Sequence, residues 1–152
     1  MKLVRYGVAG SERPGLIDAA GRIRSLEGVV ADIAGDVLLP ESLAKIAVLD
    51  PASLPLVPEG TRYGPCVGQV GKFICVGLNY ADHAAESGME VPSEPVLFFK
   101  ATSSICGPDD DVIIPRGSVK TDWEVELGVV IGRALCFSGR CARPCRGLLR
   151  HQ

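Results

Sequence analysis

Asp122-Trp123-Glu124-Val125-Glu126-Leu127-Gly128-Val129-Val130-Ile131-Gly132 is the stretch whose reading decides the fold. The run from Trp123 to Ile131 predicts a long strand. Side chains two apart on a strand share a face, so Glu124 and Glu126 point the same way. Val125, Leu127, Val129 and Val130 are the residues of a buried strand. Two carboxylates side by side on such a strand repel each other, and burial raises that cost. A hard divalent cation, Mg²⁺ or Mn²⁺, removes the conflict, because it takes oxygen ligands and keeps positions for water or substrate. The competing reading is a solvated strand face with two ordinary glutamates.

Upstream the pattern is strand, turn, helix. Phe73-Ile74-Cys75-Val76 predicts a buried strand, Gly77-Leu78 a turn, and Asn79 an N-cap for a helix running to about Ser87, with Gly88 as its stop. His83 and Glu86 lie three apart on one face of that helix. A carboxylate beside an imidazole orients the ring and makes it a candidate base for activating water. The plainer reading is an exposed helix pair. Val96-Leu97-Phe98-Phe99 predicts a second apolar strand, closed by Lys100 and followed by Ala101-Thr102-Ser103-Ser104. A lysine at such a strand end can hold a substrate carboxylate or enolate oxygen, or be merely solvated. Val112-Ile113-Ile114, closed by Pro115, predicts a third strand.

The first sixty-odd residues read as a separate small module. Lys2 to Val8 alternates, and Gly15–Asp18 with Arg22–Leu26 flank Ala19-Ala20-Gly21 as a hairpin. Pro40-Glu41-Ser42 opens a short helix through Leu49. Prolines 51, 55, 58 and 65 with glycines 60 and 64 then mark a candidate boundary. The predicted class is mostly β, of α+β type. The predicted domains are a small α+β module over 1–66, the first part of a larger domain over 67–132, and an aberrant, disordered tail over 133–152.

Composition narrows the function. The 152 residues are 47% hydrophobic and 22% charged, a soluble globular balance. A net charge of −2 argues against a nucleic-acid binder or a polybasic membrane anchor. The start shows no apolar signal core, and no apolar run reaches the ~18 residues that span a bilayer, so the expected location is cytoplasmic. Six scattered cysteines without a secretory signal read as free thiols.

Three segments in this order, Gly71–Glu86, Pro95–Lys100 and Asp122–Gly132, with Pro108–Pro115 between the last two, resemble the fumarylacetoacetate hydrolase family. The likeness is to its short bacterial members, such as acylpyruvate hydrolases, ureidoglycolate lyases and diketo-deoxy-sugar-acid hydrolases. It covers residues 1–132. The resemblance implies a catalytic β-sandwich roll, truncated here. It implies Mg²⁺ or Mn²⁺ held by Glu124, Glu126 and an aspartate further on. It implies His83 and Glu86 as the water-activating dyad on a lid helix, Lys100 as a catalytic residue that binds or polarises the substrate, and Tyr80 as a further substrate-binding residue. The implied reaction is cleavage of a C–C bond in a small 2,4-dioxo acid. Ureidoglycolate lyase and isomerase/decarboxylase chemistry use the same kind of site and stand as alternatives, as does a non-catalytic remnant. Full-length relatives are implied to be homodimers.

The departure comes after Gly132. Five of the chain's 16 basic residues, all arginines, lie in 133–152 with none of its 18 acidic ones, so the tail carries +5 and residues 1–132 carry −7. Arg, Cys, Pro, Gly and Ala are what a GC-rich coding region yields in a shifted frame, and the expectation is a frameshift with an early stop. Cys136, Cys141, Cys145 and His151 offer a zinc knuckle as the alternative, but their spacing lacks paired C-x-x-C turns.

Overall fold

A computed structural model describes residues 1–132 and the backbone of 149–151. The chain divides into two compact units, one formed by residues 1–69 with 107–152, the other by 70–106. The elements are mixed small sheets and a few short helices, an α+β architecture.

The first unit is built on three antiparallel strands in sequence order, β1 (Lys2–Tyr6), β2 (Arg13–Ile17) and β3 (Ile23–Ser25). The predicted hairpin forms here, with Ile17 opposite Ile23. Its tight turn is held by Asp18, whose carboxylate accepts from the amides of Ala20 (2.9 Å) and Arg22 (3.0 Å) and from the Arg24 guanidinium (2.9 Å). These donors hold the Asp18 carboxyl well below its ordinary range, the Arg22 amide foremost.

Strand alternation sends side chains to both faces of this sheet. On one face Leu16 joins Leu26, Ile33 and Ile46 in a buried cluster, with Leu3, Val30, Val37, Leu38, Leu49 and Leu54 around it. Helix α1 (Pro40–Ala47) contributes Leu43 and Ile46, three apart on its inner face. Pro40 sits at its first position, where no amide partner is needed. On the other face Tyr6, Ile23 and Val57 pack together. The Tyr6 ring lies against Gly15, where a Cβ would meet it at 3.0 Å. The Tyr6 hydroxyl pairs with Ser25 Oγ at 2.8 Å, and burial raises its pKa.

The proline-rich stretch from 51 to 65 is not a linker. It borders both edges of the sheet. Ser25 donates to the Pro55 carbonyl (2.8 Å) and Val57 to the Ile23 carbonyl (3.0 Å), along β3. Gly7 donates to the Arg62 carbonyl (2.9 Å) and Gly64 to the Arg5 carbonyl (2.8 Å), along β1. Proline lacks an N–H but keeps its carbonyl, so it suits an edge where only acceptors are asked of it.

The second unit holds β4 (Phe73–Gly77) and β5 (Val96–Lys100), paired antiparallel from Phe73–Lys100 to Gly77–Val96, with α2 (Ala81–Glu86) between them. Cys75 is buried, whereas Ile74 is 50%, Leu97 63% and Phe99 70% exposed. The less exposed face is that of Phe73, Cys75, Val96 and Phe98.

The strand predicted over 123–131 is largely absent. Only β6 (Val129–Ile131) forms, pairing with β7 (Leu149–His151). Residues 121–128 form no ladder among the described residues, and Trp123 (79%), Val125 (73%) and Leu127 (60%) are exposed rather than buried. Val112, Ile113 and Ile114 also form no strand. The side-chain pattern asks for a strand, but a strand exists only where a neighbour supplies the ladder. The predicted disorder of the tail concerns residues outside the described ones, except for β7.

Leu26 and Ile33 are the largest fully buried side chains among the described residues. Leu26→Ala or Ile33→Ala is expected to destabilise the first unit by about 2–5 kcal/mol. Urea unfolding followed at Tyr6 fluorescence measures this; a loss under ~1 kcal/mol would show that this cluster is not the core.

Candidate functional site

Gly77 ends β4 and Leu78 turns the chain with φ +52°. A branched side chain in that left-handed region costs about 1–2 kcal/mol, and such positions gather at functional turns. The turn shifts the helix start by one residue. Tyr80, not Asn79, takes the N-cap place, with its carbonyl accepting from the Ala84 amide at 3.1 Å and no side-chain cap bond. Gly88, at φ +66°, ends the helix as its sequence predicts.

Within α2, Ala84 is the fully buried residue, and His83 and Glu86 are exposed. They stand three apart on one helix, close enough to interact, though no hydrogen bond joins them. Tyr80 is half exposed. Lys100 closes β5 and pairs with Phe73, at the end of the ribbon away from Gly77. Four strand residues, about 13 Å, separate the two ends of β4. Lys100 and the entry to α2 therefore stand at opposite ends of one ribbon.

Glu124 and Glu126 are exposed, in the unpaired stretch before β6. The expected cost of burying two carboxylates does not arise. Among the described residues neither makes an ion pair or a side-chain hydrogen bond. Two carboxylates two residues apart fit Mg²⁺ or Mn²⁺ by donor chemistry, as two oxygen ligands of six. Among the described residues no three His, Cys, Asp or Glu side chains converge on a metal position. Cys66 and Cys106 are exposed free thiols and Cys75 a buried one. The side chains of the proposed zinc knuckle lie outside the described residues.

The strongest polar constellation is one the motifs do not announce. Arg62 donates to both oxygens of Asp110, Nε to Oδ1 at 2.6 Å and Nη2 to Oδ2 at 2.5 Å. Its Nη1 donates to Glu12 Oε1 and to the Gly7 carbonyl, each at 3.1 Å. Glu12 also pairs with Arg5 (3.5 Å), and Arg5 Nε with Asp32 Oδ1 (2.7 Å). Five alternating charges thus run from Asp32 to Asp110, all in the first unit. Asp110 closes a turn begun by Gly107-Pro108, accepting from the Gly107 amide at 2.7 Å. The only sequence signal is the Gly-Pro-Asp-Asp turn, because the pair is 48 residues apart.

Residues 72–140 match the family model described as fumarylacetoacetate (FAA) hydrolase C-terminal. A protein of Burkholderia cenocepacia (strain HI2424) named "Putative hydrolase" is 67% identical over 132 residues, which is 87% of this chain and 47% of that protein. Like-named proteins of Burkholderia ambifaria (strain MC40-6) and Burkholderia lata show 67% and 66% identity over the same shares. The chain spans about half the length of these curated relatives. Tyr80, His83, Glu86, Lys100, Glu124 and Glu126 all fall inside the matched segment. No helix among the described residues is long and apolar enough to cross a membrane.

Hydrogen bonds from Arg62 first, and from the Gly107 amide, lower the Asp110 pKa from 3.8 to about 2. A depressed carboxyl stabilises the fold above its unfolded pKa and loses that contribution as pH falls through the folded one. The melting-temperature gap between the parent and Asp110→Asn should therefore be full above pH about 5 and shrink between pH about 4 and 2. A gap independent of pH over this window would remove the charge of Asp110 from the account.

Proposed function

We propose that this chain carries part of a divalent-metal hydrolase of the fumarylacetoacetate hydrolase family, acting on a small 2,4-dioxo acid of the acylpyruvate kind. The observation that carries the reading is the exposed Glu124/Glu126 pair, without a partner among the described residues, inside the segment that matches the family. The fold proposed for the complete catalytic domain is the family's β-sandwich roll. A cytoplasmic homodimer is the proposed setting.

Glu124 and Glu126 would hold Mg²⁺ or Mn²⁺, and further ligands would come from sequence that the longer relatives contain. When bound, the cation supplies positive charge and Lewis acidity beside the 2-oxo-carboxylate end. His83 takes a proton from water, and the Glu86 carboxylate stabilises the imidazolium that results. The hydroxide adds to the distal carbonyl carbon. The C–C bond then breaks, one product leaves as the carboxylic acid, and the electron pair passes to the pyruvate-like product as its enolate, which takes up the proton held by the His83 imidazolium. By the family likeness, the Lys100 ammonium and the Tyr80 hydroxyl would hold the substrate carboxylate or the enolate oxygen. The relatives' printed names favour hydrolysis over the lyase and isomerase alternatives.

The test is a chimera in which residues 1–132 replace the matching stretch of a Burkholderia relative. It should consume an acylpyruvate in the presence of Mn²⁺, followed by loss of the enol absorbance. His83→Ala or Glu86→Ala should lower turnover by roughly 10²–10⁴-fold with a smaller change in KM. Near-parental turnover in either variant would remove the dyad from the mechanism. Turnover that survives Glu124→Gln with Glu126→Gln would remove the metal assignment.

A further inference from the structure

The β4–β5 ribbon presents one apolar face with no charge on it. In its register Ile74 stands opposite Phe99 and Val76 opposite Leu97. Residues two apart on a strand share a face, so these four side chains form one cross-strand block. Ile74, Leu97 and Phe99 are at least half exposed, and Val76 is half-buried. The sequence of the ribbon is not that of a solvated sheet. A sheet with one wet face alternates apolar with polar residues, whereas strands covered on both faces read as continuous apolar runs. Phe73-Ile74-Cys75-Val76 and Val96-Leu97-Phe98-Phe99 are continuous runs. The sheet holds these two strands and no third among the described residues, so the outer edge of each is free.

A second copy of the chain is a poor cover for this face. The four side chains offer about 400 Å², given about 150–250 Å² for one whole aromatic side chain. Two copies face to face would bury about 800 Å², below the roughly 1,200–2,000 Å² of a stable interface. A polypeptide that packs on the face and also adds strands to the free edges is not so limited. The Burkholderia relatives contain one of suitable length: the chain is 67% identical to about half of such a protein, and the other half is unmatched. Two-thirds identity gives the relatives closely similar strands. In them the unmatched half is tethered to those strands and stands beside them at high effective concentration.

We propose that the Ile74–Val76–Leu97–Phe99 face is a docking surface for a separate polypeptide corresponding to the unmatched half of the Burkholderia relatives. That polypeptide lays an apolar sheet face on the block and adds strands to the free edges of the ribbon. The chain is then one component of a two-chain assembly. The proposal rests on the likeness to those relatives and makes no use of the metal, so its failure and the failure of the metal reading are separable.

The test mixes the full chain with a Burkholderia cenocepacia relative from which the 132 matched residues have been removed, the two refolded together by dilution from urea. Sedimentation should show a complex of one copy of each, formed equally well with a chelator present. On complex formation the methyl signals of Ile74, Val76 and Leu97 should become shielded from broadening by a soluble nitroxide. Leu97→Asp with Phe99→Asp should weaken association roughly tenfold or more, and Ile74→Asp on the neighbouring strand should do likewise. Val48→Asp, at an exposed apolar position of the first unit, should change little. Amide protection along β4 and β5 checks each variant; where the ribbon melts, the nitroxide readout on the parent decides. A fragment that precipitates or sediments alone in the presence of the chain would overturn the proposal. So would a complex in which the three methyl-bearing residues stay as accessible as in the free chain. Self-association of the chain that the Asp variants abolish would give the face to a second copy and overturn the occupant.

Discussion

The fork of Arg62 on Asp110 is the constraint on which the first unit depends for its continuity. The unit is assembled from two stretches of chain, and between them lie residues 70–106. Apolar burial explains the sheet and α1, because Leu16, Leu26, Ile33 and Ile46 all come from the first stretch. Among the described residues, no side chain of that cluster comes from the second stretch. Residues 107–110 are recruited by charge, shape and a turn: the bidentate pair, the close approach of Gly107 to Tyr63, and the Gly-Pro-Asp-Asp sequence that presents the carboxylate. A bidentate ion pair suits this task better than an apolar contact, since it is directional and specifies one register.

Beyond Asp111 the character of the chain changes. Val112, Ile113, Val119, Trp123 and Val125 are each more than 70% exposed. Hydrophobic side chains at such density are those of strands, yet no described neighbour pairs with residues 121–128. The same holds in part for the β4–β5 ribbon, where Leu97 and Phe99 face outward. Two strands make a marginal sheet by themselves. The relatives are about twice as long as the matched stretch. Glu124 and Glu126 lie in this open segment, so their chemistry is governed by their own spacing and by solvent.

Much of the fold is legible in the sequence, for physical reasons that differ by element. Alternation identifies β1 to β3, and the Asp18 turn is readable because its donors lie within six residues of it. Phe73–Val76 and Val96–Phe99 are readable as apolar runs bounded by turn residues. Asn79 is a good cap by type, but the left-handed Leu78 moves the helix start past it. The proline-rich stretch reads as a boundary because prolines interrupt ladders; its carbonyls and the neighbouring amides nevertheless serve as sheet edges. The strand expected over 123–131 fails for a different reason: periodicity reports which side chains want a face, not whether a partner is there. The Arg62–Asp110 pair, 48 residues apart, leaves no local signal beyond the Gly-Pro-Asp-Asp turn. His83, Glu86 and Lys100 occupy the helix and the strand end read for them, and their roles rest on the family likeness.

The metal is the claim on which the functional account stands, and paramagnetic broadening tests it most directly. Mn²⁺ is titrated into the isotopically labelled chain and amide signals are followed residue by residue. The account predicts that signals from 122–128 vanish first, that Mg²⁺ restores them, and that Glu124→Gln with Glu126→Gln abolishes the effect. Broadening centred on the acidic run Asp109–Asp111, or signals at 122–128 that stay sharp while the ion binds elsewhere, would contradict it.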